Sequence, residues 1–305
     1  MRTPISYYGG KLSLLEKIIP LIPEHSLYCE PFTGGAAVFF AKQKVRLEVI
    51  NDINGELINF YKVLQDDFPA LQKEICATLH SRTTHRHAQV VYENPDMFDR
   101  IKRAWAVWTL ANMSFNNTLN SGFSRSTSGK ITRKIVSKRS QFTEELCQRI
   151  SGTQIECRDA LKVIEENDTL TSFFYVDPPY VGACQGHYDG YSQEDFNALI
   201  AVLTTLKGKF LLSSYRNEAL SQAVNLHGWY QIEVKMNTNP TASNKSRTKI
   251  EVLTANYSLD IEKRICNTAL RGKNSCIMCN LITHDARVRH YLFAGNFMFF
   301  LRLFQ

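Results

Sequence analysis

Apolar positions along the chain fall into two alternating kinds of run. Short runs rich in β-branched and aromatic residues, at 27–32, 47–50, 154–157, 172–176, 210–213, 230–235 and 249–256, predict buried strands. Longer runs with apolar residues three and four apart, at 11–19, 35–44, 56–64, 97–113, 143–150, 193–206 and 217–226, predict helices. Strands alternating with helices build a parallel-rich α/β sheet, which binds ligands beyond the carboxyl ends of its strands. Residues 57–138 interrupt the alternation with helices and a polar loop. An insertion of that size suits substrate recognition at the working edge of a sheet, or a structural helical subdomain. After Ser258 the alternation stops, and the chain ends in the apolar string FAGNFMFFLRLFQ. That tail reads as an added helix, a partner-binding segment, or a piece separate from the main fold.

Composition narrows the class. The chain has 305 residues, 44% hydrophobic and 21% charged, a globular balance that excludes disordered, collagen-like and coiled-coil chains. No run approaches the ~20 apolar residues that cross a bilayer, and the start MRTPISYYGG lacks the layout of a secretory signal. Eight cysteines at irregular spacing then read as reduced thiols, and the expected setting is cytoplasmic, with no membrane partner.

The net charge of +7 is unevenly spread. Residues 121–140 carry six basic side chains and no acid, residues 235–249 carry four and no acid, and the tail from Leu259 adds +4. Everything else sums to −7, so an acidic body bears two basic segments, the pattern of a surface for a polyanion. The STSGK centre of the first reads as a hairpin turn or flexible loop.

Three strings carry chemistry. EPFTGGA at 30–36 lies between a strand and a helix, where small residues let backbone approach a ligand and the helix start offers free amide donors. NDIN at 51–54 ends the second strand; there Asp52 is placed to bind ribose hydroxyls or to cap the next helix. DPPY at 177–180 follows the apolar SFFYV. Two prolines cannot continue a central strand, so they stiffen a turn that holds an acid on one side and an aromatic face on the other. A carboxylate accepts from an amino group, and a tyrosine ring stacks on a flat base. Cys276 and Cys279 with His284 give three potential zinc ligands and no second pair. Two free cysteines are the expectation there, and no metal.

SYYGGK at 6–11, then EPFTGG, NDIN and DPPY in that order, resembles the Dam-type (D12 class) DNA adenine-N6 methyltransferases over about residues 4–258. EVLTANY at 251–257 is similar to that family's last strand. The resemblance implies a Rossmann-like methyltransferase fold, a mixed sheet flanked by helices, with S-adenosylmethionine as methyl donor, double-stranded DNA as substrate and no metal. It assigns residues 1–56 and 139–258 to a catalytic and cofactor-binding domain and 57–138 to target recognition; 259–305 has no counterpart. By the same resemblance Tyr7, Lys11, Phe32, Gly34, Asp52 and Asp177 line the cofactor pocket, with Asp159 near its adenine.

The target amine lies inside the duplex, so its nucleotide must flip out at a cost of roughly a few kcal/mol. The Asp177 carboxylate and the Pro178 carbonyl are expected to accept the amine's N–H groups, and Tyr180 to stack on the base. Asn116, Asn117, Arg125, Lys130, Arg133 and Lys134 are the candidates for DNA contact, asparagine because it bonds adenine bidentately and the basic residues because they neutralise phosphate or read guanine. A GATC-type target and a cognate restriction endonuclease fit the resemblance. The rival readings are a catalytically silent DNA-binding protein of the same fold, and an enzyme acting on cytosine-N4 or on an RNA adenine.

Overall fold

The computed structural model describes residues 1–181, 191–237 and 248–260. The chain divides into two compact units, Met1–Tyr257 and Ser258–Gln305; the account below concerns the first. The apolar tail, the Cys276, Cys279 and His284 group, and most of the second basic segment lie outside the described residues.

Among the described residues, strands β1 (Leu27–Glu30), β2 (Leu47–Asn51), β3 (Gln154–Glu156), β4 (Ser172–Val176), β5 (Lys209–Ser214), β6 (Tyr230–Asn237) and β7 (Thr248–Ala255) form one sheet. Its order is β3-β2-β1-β4-β5-β7-β6. The first five strands are parallel, whereas β7 runs antiparallel to both neighbours. Every residue of β1 and of β4 is buried, as central strands covered on both faces require. The chain builds outward from β1 through β2 to β3 and then returns to lay β4 on the other side of β1. The switch therefore falls between the carboxyl ends of β1 and β4, where open α/β sheets place their ligands.

Helices α1 (Leu15–Ile18), α2 (Ala37–Ala41), α3 (Gly55–Asp66), α4 (Phe68–Cys76), α5 (Arg82–Glu93), α6 (Arg100–Met113), α7 (Lys130–Ser140), α8 (Glu144–Ile150), α9 (Ala160–Glu166), α10 (Gln193–Thr205) and α11 (Glu218–His227) complete the unit. Local chemistry sets their ends. Asn54, Ser81, Asp99 and Asn217 each accept backbone N–H bonds at the start of a helix, and Ser192 with Asp195 forms a capping box. In α6 every residue from Ala104 to Met113 is buried, because α3, α4 and α5 surround it. Trp108 anchors this helical layer. None of the described helices is long and apolar enough to cross a membrane.

Three expectations change. The run at 11–19 breaks into a 3-10 turn (Lys11–Leu14), the short α1 and a second 3-10 turn (Ile19–Leu21), since Pro20 lacks the amide that a continuing helix needs. The run at 35–44 contracts to α2, because Ala36 takes a left-handed φ of 51° before it. The third concerns the first basic segment. Its STSGK centre is a turn, as expected, but from Lys130 the residues form helix α7, begun at the left-handed Gly129 and seated by buried Ile135.

Candidate active site

The carboxyl ends of β1 and β4 open into a cavity of about 1110 Å³. Its floor is the EPFTGG turn. Thr33 N–H donates to Asn51 O (2.8 Å), Thr33 Oγ1 donates to Glu30 O (2.8 Å), and Asn51 N–H donates to Thr33 Oγ1 (3.0 Å), which stitches β1 to β2 where both strands end. Gly34 has a φ of 47°, and its N–H donates to Asp52 Oδ2 at 2.8 Å. Asn54 N–H donates to the other oxygen of Asp52 at 2.9 Å. Asp52 is thus buried, and its carboxylate is fixed by two backbone amides.

Tyr7 closes the turn from above. A Cβ on Gly35 would stand 2.9 Å from Tyr7 Cβ, and one on Gly34 would stand 3.3 Å from the Tyr7 ring. Glycine is needed at both positions for this close approach. Tyr61 of α3 donates its hydroxyl to Gly34 O at 2.7 Å. Phe32 meets Tyr191 edge to face.

A charged cluster forms the far wall. Lys11 is 5% exposed, and its ammonium lies 2.8 Å from Asp177 Oδ1, 3.4 Å from Glu251 Oε1 and 3.0 Å from Gly9 O. It also lies 4.9 Å from the centre of the Tyr180 ring. Tyr180 donates its hydroxyl to Glu251, and Ser213 Oγ donates to the same Oε1 at 2.6 Å. Burial lowers the basicity of Lys11, but the carboxylates of Asp177 and Glu251 outweigh it and raise its pKa. Burial lifts Asp177 to about 6, against the pull of the Lys11 ammonium. Glu30, at the end of β1, is lifted by burial to about 8 although the Tyr28 hydroxyl bonds it.

The cavity therefore brings together Tyr7, Lys11, Phe32, Gly34, Asp52, Asp159, Asp177, Pro178 and Tyr180, with Asn116 and Asn117 on its lining. Both asparagines take left-handed φ values, 56° and 57°, in the turn after α6. Asp159 also caps α9 by accepting Lys162 N–H. Arg125, Lys130, Arg133 and Lys134 stand outside the lining. The first three are exposed, while Lys134 donates to Asn117 Oδ1 at 3.0 Å. Lys138 and Arg139 turn inward and donate to Thr3 O and Thr78 O, so the six basic side chains of the segment do not form one free surface.

Sequence reasoning missed Glu251, Ser213, Glu30 and Tyr61 as members of the site. The signal for Glu251 was its position: an acid inside KIEVLTAN, a run apolar enough to be a buried strand. Tyr61 left no signal, since it fits the apolar face of α3.

The family model for D12 class N6 adenine-specific DNA methyltransferases matches residues 7–238. The chain is 28% identical to a type II methyltransferase, M1.LlaDCHI, of Lactococcus lactis subsp. cremoris, over 84% of this chain and 96% of the relative. It is 29% identical to the DNA N-6-adenine-methyltransferase of Escherichia phage P1, over 67% of this chain but 28% of that longer protein. The type II methyltransferase M.MjaIII of Methanocaldococcus jannaschii is 26% identical over 63% of this chain and 74% of its own.

Proposed function

This chain belongs to the D12 class of N6 adenine-specific DNA methyltransferases, and from that premise we propose how its residues divide the work. It is an enzyme that methylates the N6 amine of adenine in DNA. The methyl donor is S-adenosylmethionine, which supplies an electrophilic methyl group on a sulfonium. The cavity residues fit such a donor: a glycine turn packed closely under Tyr7, with Gly34 in the left-handed region, and a carboxylate at Asp52 fixed by two backbone amides. Tyr7, Phe32, Gly34 and Asp52 hold it, and Lys11 sets the wall beyond.

The observation that carries the catalytic assignment is the Lys11–Asp177 contact at the head of DPPY. Lys11 bonds Oδ1 of Asp177, while the Tyr180 hydroxyl proton goes to Glu251, and Oδ2 of Asp177 accepts an N–H of the adenine amine. The Pro178 carbonyl, which a proline ring keeps at the turn, accepts the second N–H. The amine nitrogen, freed from conjugation with its ring, then points its lone pair out of the base plane. Tyr180 stacks on the flipped base of a double-stranded substrate. Alignment of the reacting atoms, about 3–3.5 Å apart, supplies most of the acceleration. Asn116 and Asn117 contact the DNA beside the target, and Arg125, Lys130, Arg133 and Lys134 neutralise phosphates, so that residues 57–138, which include the start of α7, serve recognition.

Free cysteines such as Cys29 and a DNA substrate fit a cytoplasmic enzyme, and relatives named type II methyltransferases support a cognate restriction endonuclease. Incubation of unmethylated plasmid DNA with methyl-labelled S-adenosylmethionine, followed by nucleoside analysis and site mapping, tests these assignments. Label is expected in N6-methyladenine at one short sequence. Asp177→Ala protein that binds DNA and cofactor but methylates at the wild-type rate would sink the catalytic assignment.

A further inference from the structure

Glu251 opens the EVLTANY strand string, to which no site role was assigned, yet its carboxylate touches Lys11 and Tyr180 of the SYYGGK and DPPY motifs. It is 4% exposed, and Oε1 receives the Tyr180 hydroxyl, the Ser213 hydroxyl at 2.6 Å and the Lys11 ammonium at 3.4 Å. Topology explains how a residue so late in the chain arrives there. Strands β4 and β5 end at the cavity, and β7 runs against β5, so the first half of β7 lies where the parallel strands finish. Ser213 pairs with Leu253, and Glu251 is two residues away on the same face of the sheet. That is the diagonal neighbour position, within reach of a glutamate side chain.

A buried carboxylate is costly unless its charge and lone pairs are answered, and a well-packed apolar residue would often serve stability as well. Here the answering groups are the ammonium on Asp177 and the hydroxyl of the aromatic that faces the base. We propose that Glu251 is a positioning residue for adenine methylation, holding the Tyr180 ring and the Lys11 ammonium where they act on the base and on Asp177. The inference rests on the assignment of Asp177 and Tyr180 to the target adenine. Its consequence is electrical as well as steric. The groups around Asp177 are Lys11 from the first 3-10 turn, Tyr180 of its own turn, Glu30 at the end of β1, Tyr175 of β4 and Glu251 of β7. Of these, Lys11 favours the Asp177 anion, whereas the Glu251 charge opposes it.

The test is single-turnover methyl transfer from labelled S-adenosylmethionine to unmethylated plasmid DNA, followed from pH 5 to pH 9, with circular dichroism on each variant. Glu251→Gln keeps the size of the side chain and removes its charge. Its rate at pH 8 is expected to fall about 10- to 100-fold, the scale set by small misplacements, while DNA and cofactor affinities change less than about threefold. The acid limb of its profile should move to lower pH, because the charge that opposed ionisation of Asp177 is gone. Tyr180→Phe should lose less, and the double variant should be no slower than Glu251→Gln, since the hydroxyl and the carboxylate act through one bond. A Glu251→Gln rate within about twofold of wild type overturns the inference, as does a slower enzyme whose acid limb stays put and whose loss adds in full to that of Tyr180→Phe. If Glu251→Gln does not fold, Tyr180→Phe and Ser213→Ala each remove one bond to the carboxylate, and wild-type rates in both overturn it. Failure of the underlying assignment looks different: Asp177→Ala would then methylate as well as wild type.

Discussion

The open end of the sheet and the helical insertion use the same residue types in opposite ways. At the sheet, Lys11 is buried between two carboxylates, and its charge is what keeps Asp177 ionisable inside the protein. On the insertion side, among the described residues, no carboxylate forms an ion pair with Lys138. Burial, aided by the nearby Lys134 and Arg2 charges, lowers it to about 8, and its ammonium serves to bind Thr3 O at 2.7 Å. Lys130, eight residues earlier on the same helix, is exposed. A count of six basic residues in this segment therefore overstates its free positive charge, while a single buried lysine at the sheet is paired with two carboxylates and favours the Asp177 anion. Burial and pairing, not charge alone, separate the two regions.

The sharpest way to break this contrast is at Asp177. Asp177→Asn keeps the side chain's shape but turns one acceptor into a donor, and it should slow single-turnover transfer about 10²- to 10³-fold, as loss of one oriented partner of the reacting group does. Removing an exposed charge from the insertion, as in Arg133→Ala, should leave that rate within about twofold at saturating DNA, because phosphate contacts position the duplex without touching the reacting atoms.

Next in size is the pH profile. On the proposed assignment Asp177 is ionised when it accepts from the amine, and burial raises it to about 6. Transfer should therefore be full above that pH and fall about tenfold per unit below it. Lys11→Met removes the cation that favours the anion, so its acid limb should move to higher pH, the reverse of the shift expected for Glu251→Gln. Rates across pH 5 to 9 check both signs.

The contrast also explains what could be read in advance. SFFYV and LYCE announced the central strands because every residue in them is buried, and the prolines of DPPY fixed where one of them must stop. The residues that the resemblance assigned to the site line one cavity because the motifs that carry them, EPFTGG, NDIN and DPPY, stand at strand ends, with SYYGGK packed beside them. Helix α7 was not legible. Its sequence KITRKIVSKRS is polar on most of its surface, with Ile135 its one fully buried residue, and the STSGK string before it has turn chemistry. The partners of Lys138 and Arg139 lie 135 and 61 residues away, a separation that no local pattern records. Glu251 stood out as an acid in an apolar strand, but its partners did not, since the antiparallel pairing of β7 with β5 is what brings it to Ser213 and Tyr180.

Stability offers a further test of buried charge at the sheet. Glu30 is raised to about 8 in the folded protein against an ordinary 4.5. A carboxyl with a raised folded pKa stabilises fully below its unfolded value, and that stabilisation is lost as pH climbs through the folded one. Wild type should therefore lose stability from about pH 5 to pH 8, at up to about 1.4 kcal/mol per unit, whereas Glu30→Gln should lose less over the same range. Urea unfolding at several pH values measures the difference.

The smallest effects come from two arginines six residues apart, Arg133 on α7 and Arg139 in its last turn. Arg139 donates to Thr78 O at 2.9 Å and is half-buried; Arg133 is exposed. Arg139→Ala should lower stability by about 1–2 kcal/mol, since a charged donor is removed from a carbonyl near the packed surface. It should leave the salt dependence of DNA binding unchanged. Arg133→Ala should do the opposite, with no measurable change in stability and a log–log salt slope shallower by about 0.9, the value for one lost phosphate contact on duplex DNA. Unfolding curves and DNA affinity at several salt concentrations would read both variants. If both changed stability and neither changed the slope, α7 would be a structural helix, and the distinction between tied and free charge within this segment would fall.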